Sequence, residues 1–117
     1  MAAYVPDSGH VVWLNFDPKA GHEQAGLRPA VIVSPGVYNG KVGLAICCPI
    51  THKKKGYPFE VLLPDGFPIK GVILADQLKS LDWRVRQAQY ITSLPQEVFQ
   101  EVKILPTIGN VSTSIQG

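Results

Sequence analysis

Turn-forming residues interrupt this chain so often that long helices have almost no room. Its 117 residues include 10 Pro and 11 Gly, and the apolar runs between them are only five to nine residues long. Such runs, rich in β-branched and aromatic residues, read as strands. Residues 10–16 (HVVWLNF) form the first, ended by Asp17-Pro18. Residues 29–34 (PAVIVS) are apolar on both faces, which predicts a central, buried strand. Residues 42–50 (VGLAICCPI), 59–63 (FEVLL) and 71–75 (GVILA) follow, and 88–92 (AQYIT) reads as an edge strand. Residues 35–40 are a turn or one helical turn, and 81–87 (LDWRVRQ) fit a helical turn or a strand equally.

One helix is expected near Ser93. Ser93 can cap it, Gln96 takes the capping-box position and Pro95 is tolerated in the first turn. Val98, Val102 and Leu105 then share a face, and Pro106 ends or kinks the helix. Ile108, Val111 and Ile115 keep a helical spacing, so a second helical piece can follow. The expected fold is α+β, mostly β: a small, strongly bent antiparallel sheet or barrel with a C-terminal helix, in one domain over 1–117.

Charge and cysteine narrow the chemistry. A net charge of +2 neither demands nor forbids a nucleic-acid partner, because a local patch suffices to bind one. Cys47 and Cys48 are neighbours, so on a strand they point to opposite faces. His10, His22 and His52 lack ligand spacing, and no metal site is expected. No apolar run reaches the roughly 20 residues of a membrane span. The first residues do not resemble a secretory signal, and a cytoplasmic protein is expected.

Three segments carry candidate chemistry. The first, 21–29, places His22, Glu23, Gln24 and Arg28 in one polar loop leading into the buried strand. A held guanidinium suits phosphate, because its fork binds two oxygens; a structural ion pair with Glu23 or Asp76 is the competing role for Arg28. The second, 49–57, sets Thr51 at a strand end, followed by His52, Lys53, Lys54, Lys55 and Tyr57. Three lysines beside Tyr57 and Phe59 can follow a nucleic-acid backbone and stack bases, or can simply keep a loop soluble. The third is Asp76-Gln77, a polar pair that either reaches a site or caps a turn. No GxSxG, Walker, HExxH or dinucleotide fingerprint occurs. Trp13, Phe16 and Trp83 read as core or interface residues.

Taken together, these segments resemble the MazF/PemK (Kid) toxin family. The resemblance rests on Asp17-Pro18, on 21–26 (GHEQAG), on Arg28-Pro29-Ala30, on Ser34-Pro35 and on Tyr38-Asn39. Pro49-Ile50-Thr51, 55–61 (KGYPFEV), Ala75-Asp76-Gln77 with Lys79-Ser80, and Trp83-Arg84 with Arg86 fit the MazF branch. The match runs in order from Tyr4 to Ile104. It implies an SH3-related subunit, a homodimer, and a metal-independent, sequence-specific endoribonuclease (an mRNA interferase) needing no cofactor. It also implies single-stranded RNA across the dimer face, and a MazE-like antitoxin whose disordered tail occupies the same groove.

By that resemblance Arg28 and Thr51 are the main catalytic residues, with Glu23 as first candidate base and His22 as second. Asp76 is placed at the site in some relatives. The loops holding His22, Gln24, Lys53, Lys54, Lys55, Tyr57 and Phe59, together with Asp76-Gln77, are candidates to contact RNA. PemK-like relatives carry an Arg where this chain has Leu74, so a second cationic helper is missing. Two rivals have the same fold: a CcdB-type toxin that binds gyrase without cleaving anything, and a silent SH3-like RNA-binding module.

Overall fold

The computed structural model describes residues 4–16 and 26–104. The elements are β1 (His10–Asn15), β2 (Leu27–Ile32), α1 (Gly36–Val42), β3 (Leu44–Thr51), β4 (Glu60–Leu62), β5 (Val72–Leu74), β6 (Lys79–Asp82) and β7 (Gln89–Ser93). A second helix, α2, runs over 96–104. All strand pairings are antiparallel, in the order β4-β5-β3-β2-β1-β7, with β6 also on β3.

β3 organises the sheet. One edge pairs with β2 through Cys47–Pro49. The other edge pairs with β6 over Leu44–Cys47 and then with β5 at Ile50 and Thr51. Two short strands share one long edge, so the sheet bends there. It does not close: β4, β6 and β7 each pair with a single neighbour among the described strands, so the fold is the bent sheet rather than a barrel. β7 is the edge strand expected from residues 88–92.

Alternation along the strands builds a core on each face. Val31 and Cys48 lie in one cluster with Ile50, Ile73, Phe99 and Val102; Ala30, Ile32 and Cys47 lie in the other with Leu14, Phe16 and Trp83. The doubly apolar β2 is therefore central, and the two cysteines point to opposite faces, as their spacing requires. α2 covers the first cluster with Phe99 and Val102, each about 2 kcal/mol of apolar burial. Phe16 and Trp83 are core residues; Trp13 is half-buried.

Three local expectations are corrected. The segment at 35–40 is a full helix, α1, because distant groups hold it. The Asp7 carboxylate accepts the Gly36 N–H at 2.6 Å. The fully buried Asn39 donates to Pro6 O and Ser34 O at 2.7 and 3.0 Å, and its carbonyl accepts the Trp83 Nε1–H at 2.9 Å. Segment 81–87 is strand only to Asp82, whose carboxylate accepts the Arg84 and Val85 amides and turns the chain. Ser93 does not cap α2: it ends β7, and its hydroxyl bonds Tyr90. The first bonds of α2 run from Val98 and Phe99 to Pro95 O. Leu105, Pro106, Ile108, Val111 and Ile115 lie outside the described residues.

Candidate active site

Arg28 and Thr51 meet because of register. β2 and β3 pair Ala30 with Pro49, Val31 with Cys48 and Ile32 with Cys47. Continuing that register by two residues sets Arg28 across from Thr51, at the same end of the two strands. Opposed residues of an antiparallel pair share a face. The pair therefore continues the face of Ala30, Ile32 and Cys47, at the point where the apolar core runs out.

Each side chain is held differently. Arg28 is half-buried at the start of β2, opposite Leu14 of β1. Thr51 is 8% exposed and ends β3. Its Oγ1 accepts the Lys53 N–H at 3.3 Å, which leaves the hydroxyl proton to donate. Gly71, with φ +129°, packs against the Thr51 backbone; a Cβ there would overlap the Thr51 carbonyl oxygen.

Two hollows flank this pair and share Arg28, Thr51 and His52. One, about 560 Å³, is lined also by Lys53, Lys55, Tyr57, Glu60, Leu74, Asp76 and Gln77. Three cations face two carboxylates there, a balance that favours an anionic ligand. The other, about 510 Å³, is walled by Trp13, Leu27, Pro29, Ile50, Pro68, Ile69 and Lys70. It is largely apolar and suits an unstacked ring. The site thus offers a guanidinium and a hydroxyl at its centre, a basic groove on one side and an apolar slot on the other.

Most of the candidates from sequence converge here: Arg28, Thr51, Lys53, Lys55, Tyr57, Asp76 and Gln77 line the basic groove. Two do not. Lys54 lines a separate hollow with Leu62, Phe67 and Lys70. Phe59 is half-buried, and its carbonyl accepts the Ala75 N–H at 3.1 Å, which fixes the turn before Asp76. His22, Glu23 and Gln24 lie outside the described residues. Sequence reading named His52 only as part of the basic loop and did not place Trp13, Leu74 or Glu60 at the site. Their placement follows from strand register: His52 trails Thr51, Trp13 opposes Pro29, and Glu60 opposes Leu74. Among the described residues, no group of three His, Cys, Asp or Glu side chains is placed to hold a metal ion.

Comparison with known proteins places the sequence and the fold in one family. Residues 7–105 match the model of the PemK-like, MazF-like toxins of type II toxin–antitoxin systems. The chain is 50% identical over 103 residues to the endoribonuclease toxin MazF of Escherichia coli K12, covering 88% of this chain and 92% of that one. It superposes on MazF of Deinococcus radiodurans with a TM-score of 0.84 at 55% identity, over 86% of this chain and 92% of that one. A MazE–MazF crystal structure from the same organism matches with a TM-score of 0.81 at 51% identity, over 95% and 98% of the two chains. With the family model matched over residues 7–105 and relatives half or more identical over most of the chain, the chain belongs to the PemK-like, MazF-like toxin family of type II toxin–antitoxin systems.

Proposed function

We propose that this protein is a metal-independent endoribonuclease that cuts single-stranded RNA at a short recognition sequence and so inhibits translation. The observation that carries the reading is the Arg28–Thr51 pair at the junction of a basic groove and an apolar slot. Close relatives named as endoribonucleases support it.

RNA brings its own nucleophile. The ribose 2′-oxygen bonds to the adjacent phosphorus while the P–O5′ bond breaks. A proton leaves the 2′-OH and a proton reaches O5′, giving a 2′,3′-cyclic phosphate and a 5′-OH end. The protein has to stabilise the extra negative charge on the phosphorane and manage the two protons. Arg28 supplies the charge, since a planar fork grips two non-bridging oxygens. Thr51 donates its hydroxyl to one of those oxygens. Glu23 is the first candidate for the base and His22 the second; both assignments rest on family resemblance. Lys53 and Lys55 follow the backbone, and Tyr57 and Trp13 offer faces for splayed bases.

Two partners complete the proposal. A MazE-like antitoxin, whose existence the MazE–MazF assemblies of the relatives support, neutralises the enzyme by laying a disordered tail in the same groove. The active form is a homodimer in the cytoplasm. No helix among the described residues is long and apolar enough to cross a membrane.

The test is cleavage of a long single-stranded RNA by purified protein in EDTA, with cut sites and end chemistry mapped and Arg28→Ala run alongside. Cuts at one short motif with cyclic phosphate and 5′-OH ends, lost in the variant, establish the activity. Intact RNA from folded, antitoxin-free protein refutes it and turns attention to gyrase binding.

A further inference from the structure

Glu60 has no role in the chemistry above, yet its carboxylate points into the basic loop between Thr51 and β4. Oε1 accepts the Lys55 N–H at 3.2 Å and the Gly56 N–H at 2.9 Å, and Oε2 accepts the Lys55 N–H at 3.1 Å. Two successive amides that converge on one anion form a nest. Gly56 makes the nest possible by adopting φ +78°, which residues with a Cβ rarely take. Glu60 is itself anchored: it pairs with Leu74 of β5, and its amide donates to Tyr57 O at 3.2 Å. The carboxylate therefore straps the far half of the loop to the sheet. The near half is tied separately, through Lys53 N–H to Thr51 Oγ1 and Lys54 N–H to His52 O.

The strapped half carries Lys55 and Tyr57, two of the groups that line the groove. Lys55 Nζ lies 6.0 Å from the centre of the Tyr57 ring, so holding one backbone segment places a cation and an aromatic face together. We propose that Glu60 is a positioning residue, which holds the Lys55 and Gly56 amides so that Lys55 and Tyr57 are set for the RNA strand before it binds. The proposal rests on the endoribonuclease reading. A carboxylate in a groove for phosphates also repels the ligand. Its charge weakens RNA binding while its hydrogen bonds strengthen it, and the opposite signs make the role measurable.

Geometry supplies the separating variant. Oε1 alone reaches both amides, so Glu60→Gln keeps both acceptor contacts and removes the charge. Glu60→Ala removes both. Steady-state cleavage of a fluorogenic oligoribonucleotide carrying the mapped cut site is measured for the wild type and the two variants. For Glu60→Ala, KM rises about tenfold, the loss expected for a charge-assisted contact, and kcat stays within about twofold. For Glu60→Gln, KM stays within about threefold of the wild type. An unchanged or lowered KM in Glu60→Ala overturns the proposal, as does a kcat loss at constant KM or a failure of Gln to rescue. Amide hydrogen exchange of Lys55 and Gly56 in the RNA-free protein tests the strap without activity. It must accelerate in Glu60→Ala and stay slow in Glu60→Gln; equal rates in all three proteins overturn the proposal. A wild type that cuts no RNA fails the functional reading instead, and the exchange result still judges the strap.

Discussion

Arg28, near the start of β2, and Thr51, at the end of β3, stand across from each other in the continued register of the two strands, one half-buried and cationic, the other 8% exposed and hydroxylic. Their proximity comes from the sheet rather than from a flexible loop. This matters for catalysis by positioning, where small displacements of a charge are expensive. Arg28→Ala should lower kcat/KM by on the order of a hundred- to a thousand-fold with the melting temperature little changed, as for removal of a charge-stabilising donor. Arg28→Lys should recover only part of it, because an ammonium cannot grip two oxygens in a plane. Thr51→Ala should cost on the order of tenfold, and the double variant less than the product of the two, since both groups act on one phosphate. Single-turnover cleavage of the mapped site, with circular dichroism as the folding control, checks all four.

The lysine run divides into two roles. Lys53 and Lys55 line the groove that holds Arg28 and Thr51, whereas Lys54 points to the hollow beside Leu62 and Lys70. Each lysine that neutralises a phosphate of a single strand contributes about 0.7 to the slope of log affinity against log salt. Lys53→Ala and Lys55→Ala should each reduce that slope by about this amount, and Lys54→Ala should leave it unchanged. Fluorescence anisotropy of RNA bound to the inactive Arg28→Ala protein, titrated with KCl, reads the slopes directly. Three equal reductions would mean that the lysines act as one diffuse patch.

Why the sequence revealed some of this and hid the rest is physical. β2 was legible from its second half, because a stretch with core on both faces has no polar positions, and Ala30, Val31 and Ile32 show it. The opposed burial of Cys47 and Cys48 followed from the two-residue period alone. α1 was not legible as a full helix, because what holds it comes from Asp7, Pro6 and Trp83, up to 44 residues away in sequence. The Ser93 cap failed for a similar reason: pairing with β1 through His10 kept Ser93 in the sheet, overriding its preference for a helix start. At the site, single residues were visible as chemistry, but their neighbours were not. Glu60 and Trp13 reach the site through strand register, which leaves no local signature.

Gly71 is a test of how tightly Thr51 is held. Its φ of +129° lies where residues with a Cβ rarely go, and the space a methyl would need is occupied by the Thr51 carbonyl and His52 Cα. Gly71→Ala should therefore destabilise the protein by on the order of 2 kcal/mol from backbone strain, and more from the overlap. The strand end that carries Thr51 must shift to relieve it. Activity at a temperature where the variant is still folded should fall further than Thr51→Ala alone accounts for, because His52 and the loop beyond it move too. Full activity in folded Gly71→Ala protein would show that the end of β3 is freer than its packing implies.

The cysteines predict a pH dependence that is independent of catalysis. Desolvation by burial pushes the thiols of Cys47 and Cys48 each up to about 12, against an ordinary value of 9.0. In the folded protein both remain protonated well above pH 9, while in the unfolded chain both ionise there. The unfolded state then binds fewer protons, so stability falls as pH rises. The contribution is complete below about pH 9 and is lost progressively toward pH 12, with a slope of about 1.4 kcal/mol per pH unit for each thiol. Tyr4, whose hydroxyl is also raised by burial, adds to the alkaline loss in every variant and cancels in a comparison. Urea unfolding at pH 8 and pH 10 should show the wild type losing more stability between the two than Cys47→Ala or Cys48→Ala, with the double variant losing least. Equal losses in all four proteins would mean that the thiols reach solvent in the native state, and that neither face of β3 is as dry as its packing makes it.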